Sequence, residues 1–480
     1  MVVVIVLAAV LLLLAAILLI RVLTFPRAPM EAEEKGADFC MEDGAVDRLI
    51  GAIRIKTVSS EEEYRQQDGP LEGYLAYLES TYPLVHETMS RHVMPDNSVY
   101  YVWQSKTQGN QPAAFMAHID VVPAKEEQGW SVSPFEGIVK DGYLYGRGTM
   151  DMKGQMIAIF EAVEQLIKKG FEPQRDIYII LGSDEELSDN VGAANIAAKL
   201  AQEGVRFQFV LDEGATVKAG DAFYLEQDIA FIGVCEKGYI DLEIQAHQAG
   251  GHASAPPKNT AIGQVAAAVA RLESKGMKSK WNAVVARMFA SLAPYMALRD
   301  RLLFANLWLF KPLVLRRLRK EPSMAAMVTT TLAATMAYGS DAPNVLPGKA
   351  GVVCNLRVAP EETCAQAVKH VRDACSDGMR VEIIKQKEPS DISRLDGEVF
   401  EGIARSIRRT TGLKVVAPYP VVVGTDSRYF HEISECVYRF VPFLSAKEDI
   451  SRIHTLDERL SLKSFEQGIA FFSDVMQTMC

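Results

Sequence analysis

Three short apolar runs in this chain stop abruptly at histidine or acidic residues. Residues 113–117 run into His118-Ile119-Asp120, residues 176–181 into Gly182-Ser183-Asp184-Glu185-Glu186, and residues 207–211 into Asp212-Glu213-Gly214. Between them lie stretches of helical periodicity, residues 155–169 (stopped by Gly170) and residues 191–204. Strands that alternate with helices build βαβ units, and so a mostly parallel sheet with helices on both faces. The strands of such a sheet run the same way, which gathers the three polar ends at one carboxyl edge, where open α/β sheets place their ligand sites. Carboxylates crowded at one edge repel one another unless a cation neutralises them.

A glycine-flanked loop feeds the same edge. Gly146-Arg147-Gly148-Thr149-Met150-Asp151-Met152-Lys153-Gly154 delivers one aspartate to the start of the helix over residues 155–169. Late in the chain, residues 415–423 and 437–441 read as strands of the same unit. A loop then carries Ile453-His454-Thr455-Leu456-Asp457-Glu458, and residues 461–479 close the chain as a helix. The pattern between these parts differs. Residues 239–246, 327–337, 349–358 and 379–384 read as strands, and 260–273 and 361–375 as helices. That order, β-α-β-β-α-β, is the ferredoxin-like split unit.

The expected organisation is therefore one domain over residues 42–235 and 389–480, with a second inserted over residues 236–388. Within the insertion, residues 274–322 are extra. They combine Leu307-Trp308-Leu309-Phe310 with Arg316-Arg317-Leu318-Arg319-Lys320. They read either as a buried helix pair with a solvated basic end or as an apolar lip that meets lipid or a long acyl chain.

The chain has 480 residues and a formal net charge of −10, with no long basic tract, which argues against a nucleic-acid partner. Its seven cysteines include no Cys-x-x-Cys pair, so neither a zinc finger nor a disulfide framework is expected. Residues 1–20 carry no charged side chain and are almost wholly Val, Leu, Ile and Ala. About 20 such residues cross a hydrocarbon core. No basic residue precedes the run and Arg21 follows it, unlike a cleaved signal peptide. The expectation is a single-pass membrane anchor over residues 1–22 and a linker over 23–41. Arg21 and Arg27 bias the main domain only weakly toward the cytoplasmic side, so the side of the membrane stays open.

Histidines and carboxylates without cysteine suit zinc, cobalt or manganese better than a thiolate metal. Two ions can share five such ligands if one carboxylate bridges, and a pair of ions makes hydroxide at neutral pH and clamps a carbonyl. Glu185 and Glu186 point apart on a turn, so one can ligate while the other acts as general base. Asp120 is placed to orient the His118 imidazole.

These motifs, together with Gly250-Gly251-His252-Ala253-Ser254-Ala255-Pro256 and Ile453-His454, resemble the dizinc metallopeptidase family of aminoacylase, vacuolar carboxypeptidase S and glutamate carboxypeptidase. Residues 306–310 and Thr425-Asp426-Ser427-Arg428 point to its branch of carboxypeptidase S and N-fatty-acyl-amino-acid synthase/hydrolases. The resemblance runs from about Asp43 to the C-terminus, and it implies that the first domain is catalytic and the inserted one a lid or dimerisation domain. It implies two zinc ions, His118 and Asp212 on one, Glu186 and His454 on the other, and Asp151 bridging. Asp212 is preferred to Glu213 because it ends its strand. Glu185 is implied as general base and proton donor, and Asp120 as the orienter of His118. His252 would bind the oxyanion, in this family often across a homodimer interface, a geometry that the extra segment puts in question. Asn344, Arg357 and Arg428 are candidates for the substrate carboxylate.

The implied function is a membrane-anchored hydrolase that cleaves, or reversibly forms, the amide next to a free α-carboxylate. Its substrates would be N-acyl amino acids or the C-terminal residues of short peptides. A dipeptidase and a catalytically inactive membrane-bound scaffold are the alternatives.

Overall fold

The computed structural model describes residues 1–25, 40–59, 68–187, 191–444 and 447–480. Most of the linker expected over residues 23–41 lies outside them. Among the described residues the main sheet has the order Ser90–Val93, Val99–Trp103, Ile177–Gly182, Ala113–His118, Phe209–Asp212, Val437–Arg439, Ile229–Glu236 and Val415–Val421. Its centre is parallel. Ala113–His118 pairs in parallel with Ile177–Gly182 on one side, His118 opposite Gly182, and with Phe209–Asp212 on the other. Val437–Arg439 continues the parallel run, with Arg439 opposite Asp212. One shared direction brings His118, Gly182 and Asp212 to the same edge, as the three apolar runs predict.

Side chains alternate across the central strands. Phe115 and Ala117 face a core built with the helices Lys153–Lys168 and Leu462–Met479, where Phe115 meets Phe472 edge-on. Ala114 and Met116 face the opposite layer, against Ile196 and Leu200 of the helix Gly192–Gln202. Both faces are covered, so these strands read as unbroken apolar runs. Two antiparallel strands, Ser90–Val93 and Val99–Trp103, close one end of the sheet.

A second, antiparallel sheet has the order Thr331–Tyr338, Lys349–Val358, Gly238–His247 and Arg380–Lys387. The helices Ala261–Lys275 and Cys364–Ala374 cover one face, over Ile240, Leu242, Ile244, Cys354 and Leu356. Chain order is β-α-β-β-α-β. The edge strand Thr331–Tyr338 is largely solvent-exposed, Met336 and Tyr338 included.

The extra segment packs against the main sheet. The helix Ala283–Leu292 packs on the main sheet's edge strand Val415–Val421, and Phe289 and Phe304 stack in a cluster shared with Phe231 and Tyr419. The helices Leu298–Ala305, Leu307–Leu318 and Pro322–Val328 complete this layer. A long apolar cover over the main sheet's edge is thus supplied from within the insertion. All seven cysteines are free thiols.

Candidate active site

His118 is the last residue of its strand and is almost wholly buried. Its Nδ1 lies 2.9 Å from the Asp120 carbonyl oxygen and 3.4 Å from the Asp120 carboxylate. That fixes the ring and turns Nε2 toward Asp151 Oδ1 at 3.1 Å and Glu213 Oε1 at 3.7 Å. From the other side, His454 Nε2 lies 2.9 Å from Asp151 Oδ2 and 3.2 Å from Glu186 Oε2. Asp151 therefore offers one oxygen to each histidine. Donor atoms converge in two groups that share this carboxylate: His118, Asp151 and Glu213, and Asp151, Glu186 and His454.

The backbone around Asp151 is held tightly. A Cβ on Gly154 would meet the Thr149 carbonyl oxygen at 2.1 Å, so the helix Lys153–Lys168 can start this close to the loop only with glycine there. Buried Glu458 accepts hydrogen bonds from the Met150 and Asp151 backbone N–H groups at 2.8 and 3.1 Å. Its other oxygen pairs with Arg147 at 2.5 Å, and Arg147 also donates to the Thr455 carbonyl. The pair forms a bar between the loop of Asp151 and the loop of His454. Neither residue stands out from sequence alone. The signal was present, since each lies within four residues of a candidate ligand and carries a charge inside a motif.

The electrostatics follow from burial. Burial pushes the Glu185 carboxyl well above the ordinary range; His118 opposes this, while Glu213, Asp426 and Glu186 add to it. Glu213 is raised well above its usual value for the same first reason, and then by Asp151. Glu186 is also raised by burial, although its hydrogen bond to His454 opposes the shift. Burial alone would lower His118, but the carboxylates of Asp120 and Asp151 overrule it and hold the imidazole well above 6.5. Hydrogen bonds to Asp151 and Glu186 raise His454 to about 10. Asp151 is correspondingly held low by the two histidines, against its burial.

Asp212 Oδ2 accepts the Ser427 backbone N–H at 2.9 Å, and Glu213, one residue on and one methylene longer, joins His118 and Asp151 in the group of donors. Asp120 has a wider task than orienting His118. Its two carboxylate oxygens accept the N–H groups of Glu185 and Glu186, at 3.1 and 3.0 Å, and so fix the turn that aims them. Asp184 caps the following helix through the N–H groups of Val191 and Gly192. Asp426 comes unforeseen to the same edge. A Cβ on Gly182 would fall 1.9 Å from its carboxylate, so glycine at the strand end is what admits it.

The remaining candidates lie outside the two groups of donors. His252 is exposed on a two-residue strand opposite Val345, and the adjacent Ala253 N–H donates to the carbonyl of exposed Asn344. Arg357 is half-buried in the second sheet, its guanidinium 4.6 Å from the Tyr239 ring centroid. Arg428 donates to the Glu388 carbonyl and lies 3.5 Å from Glu236, which also pairs with buried Arg439.

The donors fit a divalent cation. They are imidazole and carboxylate only, the set that suits zinc or a harder ion. Glu186 Oε1 is buried without a hydrogen-bond partner among the described residues. Burial first, and neighbouring carboxylates after it, push Glu185 and Glu213 upward, and a cation would oppose both effects. Residues 114–478 match peptidase family M20/M25/M40.

The chain belongs to this family.

It is 37% identical over 437 residues to an N-fatty-acyl-amino acid synthase/hydrolase, PM20D1, of Xenopus tropicalis, covering 90% of this chain and 85% of the relative. It is 35% identical over 432 residues to probable carboxypeptidase S-like 2 of Dictyostelium discoideum, covering 88% and 83%. In fold it is similar to the M20 family metallo-carboxypeptidase Sso-CP2 from Sulfolobus solfataricus, with a TM-score of 0.64 at 15% identity over 91% of this chain and 99% of that one. Human carnosine dipeptidase 1 gives a TM-score of 0.61 at 17% identity, over 91% and 97%. The family is metal-dependent, and its members are peptidases and amidohydrolases. This chain is such an enzyme, and it acts on amide bonds.

Proposed function

We propose that this M20 enzyme cleaves the amide bond next to a free α-carboxylate in N-acyl amino acids, or at the C-terminus of short peptides, and runs in reverse when acid and amine are abundant. One observation carries the reading: Asp151 presents one oxygen to each of two donor groups, beside the adjacent carboxylates Glu185 and Glu186. Two divalent ions, zinc by their donor set, would be held by His118 and Asp151 with Asp212 or Glu213, and by Asp151, Glu186 and His454. When bound, such ions acidify water and polarise a carbonyl. The relatives that are synthase/hydrolases of N-fatty-acyl amino acids favour acylated amino acids as substrates.

The chain's own groups do the rest. Glu185 takes a proton from the attacking water and hands it to the leaving amine. Asp120 keeps His118 and the Glu185–Glu186 turn aligned. Arg357, Arg428 and Asn344 are the groups proposed to bind the substrate carboxylate. His252 would donate to the oxyanion, a contact worth about 3–4 kcal/mol in other hydrolases. Being exposed on the second sheet's unit, it would reach a reacting carbonyl by closure of that unit as a lid or from a second copy in a homodimer. The helix Val2–Leu23 is long and apolar enough to span a bilayer and is proposed as a single-pass anchor.

The test is turnover of oleoyl-Phe, acetyl-Met and Gly-Leu by the full chain and by Glu185→Gln, with metal content measured for both. Loss of a general base should cost about 10²–10⁴-fold in kcat with metal retained. Unchanged turnover in Glu185→Gln, or an active wild type that holds no metal, overturns the proposal.

A further inference from the structure

The helix Val2–Leu23 is gripped near its C-terminal end by the extra helical segment. Arg21 Nε donates to the Ala305 carbonyl at 3.2 Å, and Asn306 Nδ2 donates to the Leu18 carbonyl at 3.3 Å. Val22 is buried, and Phe25 packs on the cluster that contains Phe304. With a rise of about 1.5 Å per residue, Leu18 lies roughly 8 Å from the helix end at Leu23. The junction of Leu298–Ala305 with Leu307–Leu318 therefore sits level with the last turns of the apolar helix. If that helix spans a bilayer, this is the depth of the interface between headgroups and acyl chains.

What the segment exposes at this level is not ordinary surface. The helix Leu307–Leu318 buries Val314 and Leu318 against the body and leaves Trp308, Leu309 and Leu313 40–55% exposed; Leu298 of the preceding helix is 59% exposed. Trp308 Nε1 lies 3.4 Å from Asn306 Oδ1, so the residue that binds the N-terminal helix also holds the indole. Residues 307–320 contain five Lys or Arg and no Asp or Glu, in a chain of net charge −10. Large apolar side chains next to a basic cluster suit the boundary of an anionic lipid leaflet, where tryptophan is enriched.

We propose that this segment is a lipid-binding surface: Trp308, Leu309 and Leu313 enter the interface, and Arg316, Arg319 and Lys320 meet lipid phosphates. The surface rests on the reading of Val2–Leu23 as a membrane anchor. Its depth beside the last turns of Val2–Leu23 points to a bilayer rather than to the acyl chain of a substrate.

The test uses the full chain reconstituted in vesicles of phosphatidylcholine with or without phosphatidylserine, carrying plain or brominated acyl chains. The emission of Trp308 is the difference between the wild type and Trp308→Phe, since Trp103, Trp130 and Trp281 are common to both. Expected is strong quenching of that difference by brominated lipid, greater with phosphatidylserine, and reduced in R316E/R319E/K320E. A chain that floats with the vesicles while its Trp308 emission is unquenched overturns the surface and leaves the anchor standing. A chain that does not float with them overturns both. Quenching by a brominated N-acyl amino acid in detergent, with none by lipid, assigns the patch to substrate and also overturns the proposal.

Discussion

Glu458→Gln keeps the shape of a buried side chain and removes its charge, which makes it a direct probe of how the two loops of the site are joined. The carboxylate accepts from Arg147, Met150 N–H and Asp151 N–H. The amide has one acceptor oxygen. Whichever way it turns, its NH₂ faces either the guanidinium or the backbone donors. Removing one partner of a buried ion pair costs about 3–5 kcal/mol. Glu458 is itself raised by burial before Arg147 lowers it, so part of that sum offsets a desolvation cost that the neutral amide escapes. We expect about 2–4 kcal/mol of lost stability by urea denaturation. Because the bar holds Asp151 and the His454 loop together, metal affinity should fall about 10–100-fold, as when a residue behind a ligand is removed. Arg147→Met on top of Glu458→Gln should restore part of the stability, by removing the orphaned cation, and none of the affinity. Calorimetric titration with zinc reads the second quantity. Affinity of Glu458→Gln within twofold of wild type would show that the bar does not hold the site.

Glu213→Gln should weaken zinc binding by at least about 10-fold, whereas Asp212→Asn should lower stability through the Ser427 contact and leave affinity nearer to wild type; the reverse order in titrations would return the ligand to Asp212. Metal affinity should climb with pH. Protein stripped of metal with a chelator holds His454 protonated up to about 10, so at any lower pH an ion must displace that proton, and affinity rises about tenfold per pH unit for each proton lost. The sign for stability is opposite: the raised pKa gives the stripped protein a contribution that is complete below 6.5 and lost as pH rises through 10. Calorimetry in buffers of differing ionisation enthalpy counts the released protons, and a pH-independent affinity between 6 and 9 would refute the reading.

Much of the site's framework is legible in the sequence because an apolar strand that ends in a polar residue fixes both the strand and its direction. The strand ends at His118 and at Gly182, just before the Asp184–Glu186 turn, are legible that way, and the central parallel strands follow from them. Asp212 and Glu213 show where this logic stops. Two adjacent carboxylates end the strand, and the backbone N–H that Asp212 Oδ2 accepts comes from Ser427, more than two hundred residues away. The Arg147–Glu458 pair escaped for a related reason: one charge in each of two loops gains meaning only when the chain brings them to 2.5 Å. The placement of residues 283–328 on the main sheet was invisible because helical periodicity names a buried face and not what buries it.

The sheet edges of this molecule are defended unequally. Ser90–Val93 is only four residues long and carries Arg91, and Arg380–Lys387 alternates charges of both signs. Val415–Val421 lies beneath the helix Ala283–Leu292. Thr331–Tyr338 has none of these protections: eight residues with no charge, running Thr-Leu-Ala-Ala-Thr-Met-Ala-Tyr along open water. An uncharged ladder of that length is a template for another strand. The opposite edge of the same sheet, by contrast, carries Arg380, Glu382, Lys385 and Lys387. The outward backbone donors and acceptors of Thr331–Tyr338 are left to water or to whatever extended strand meets them.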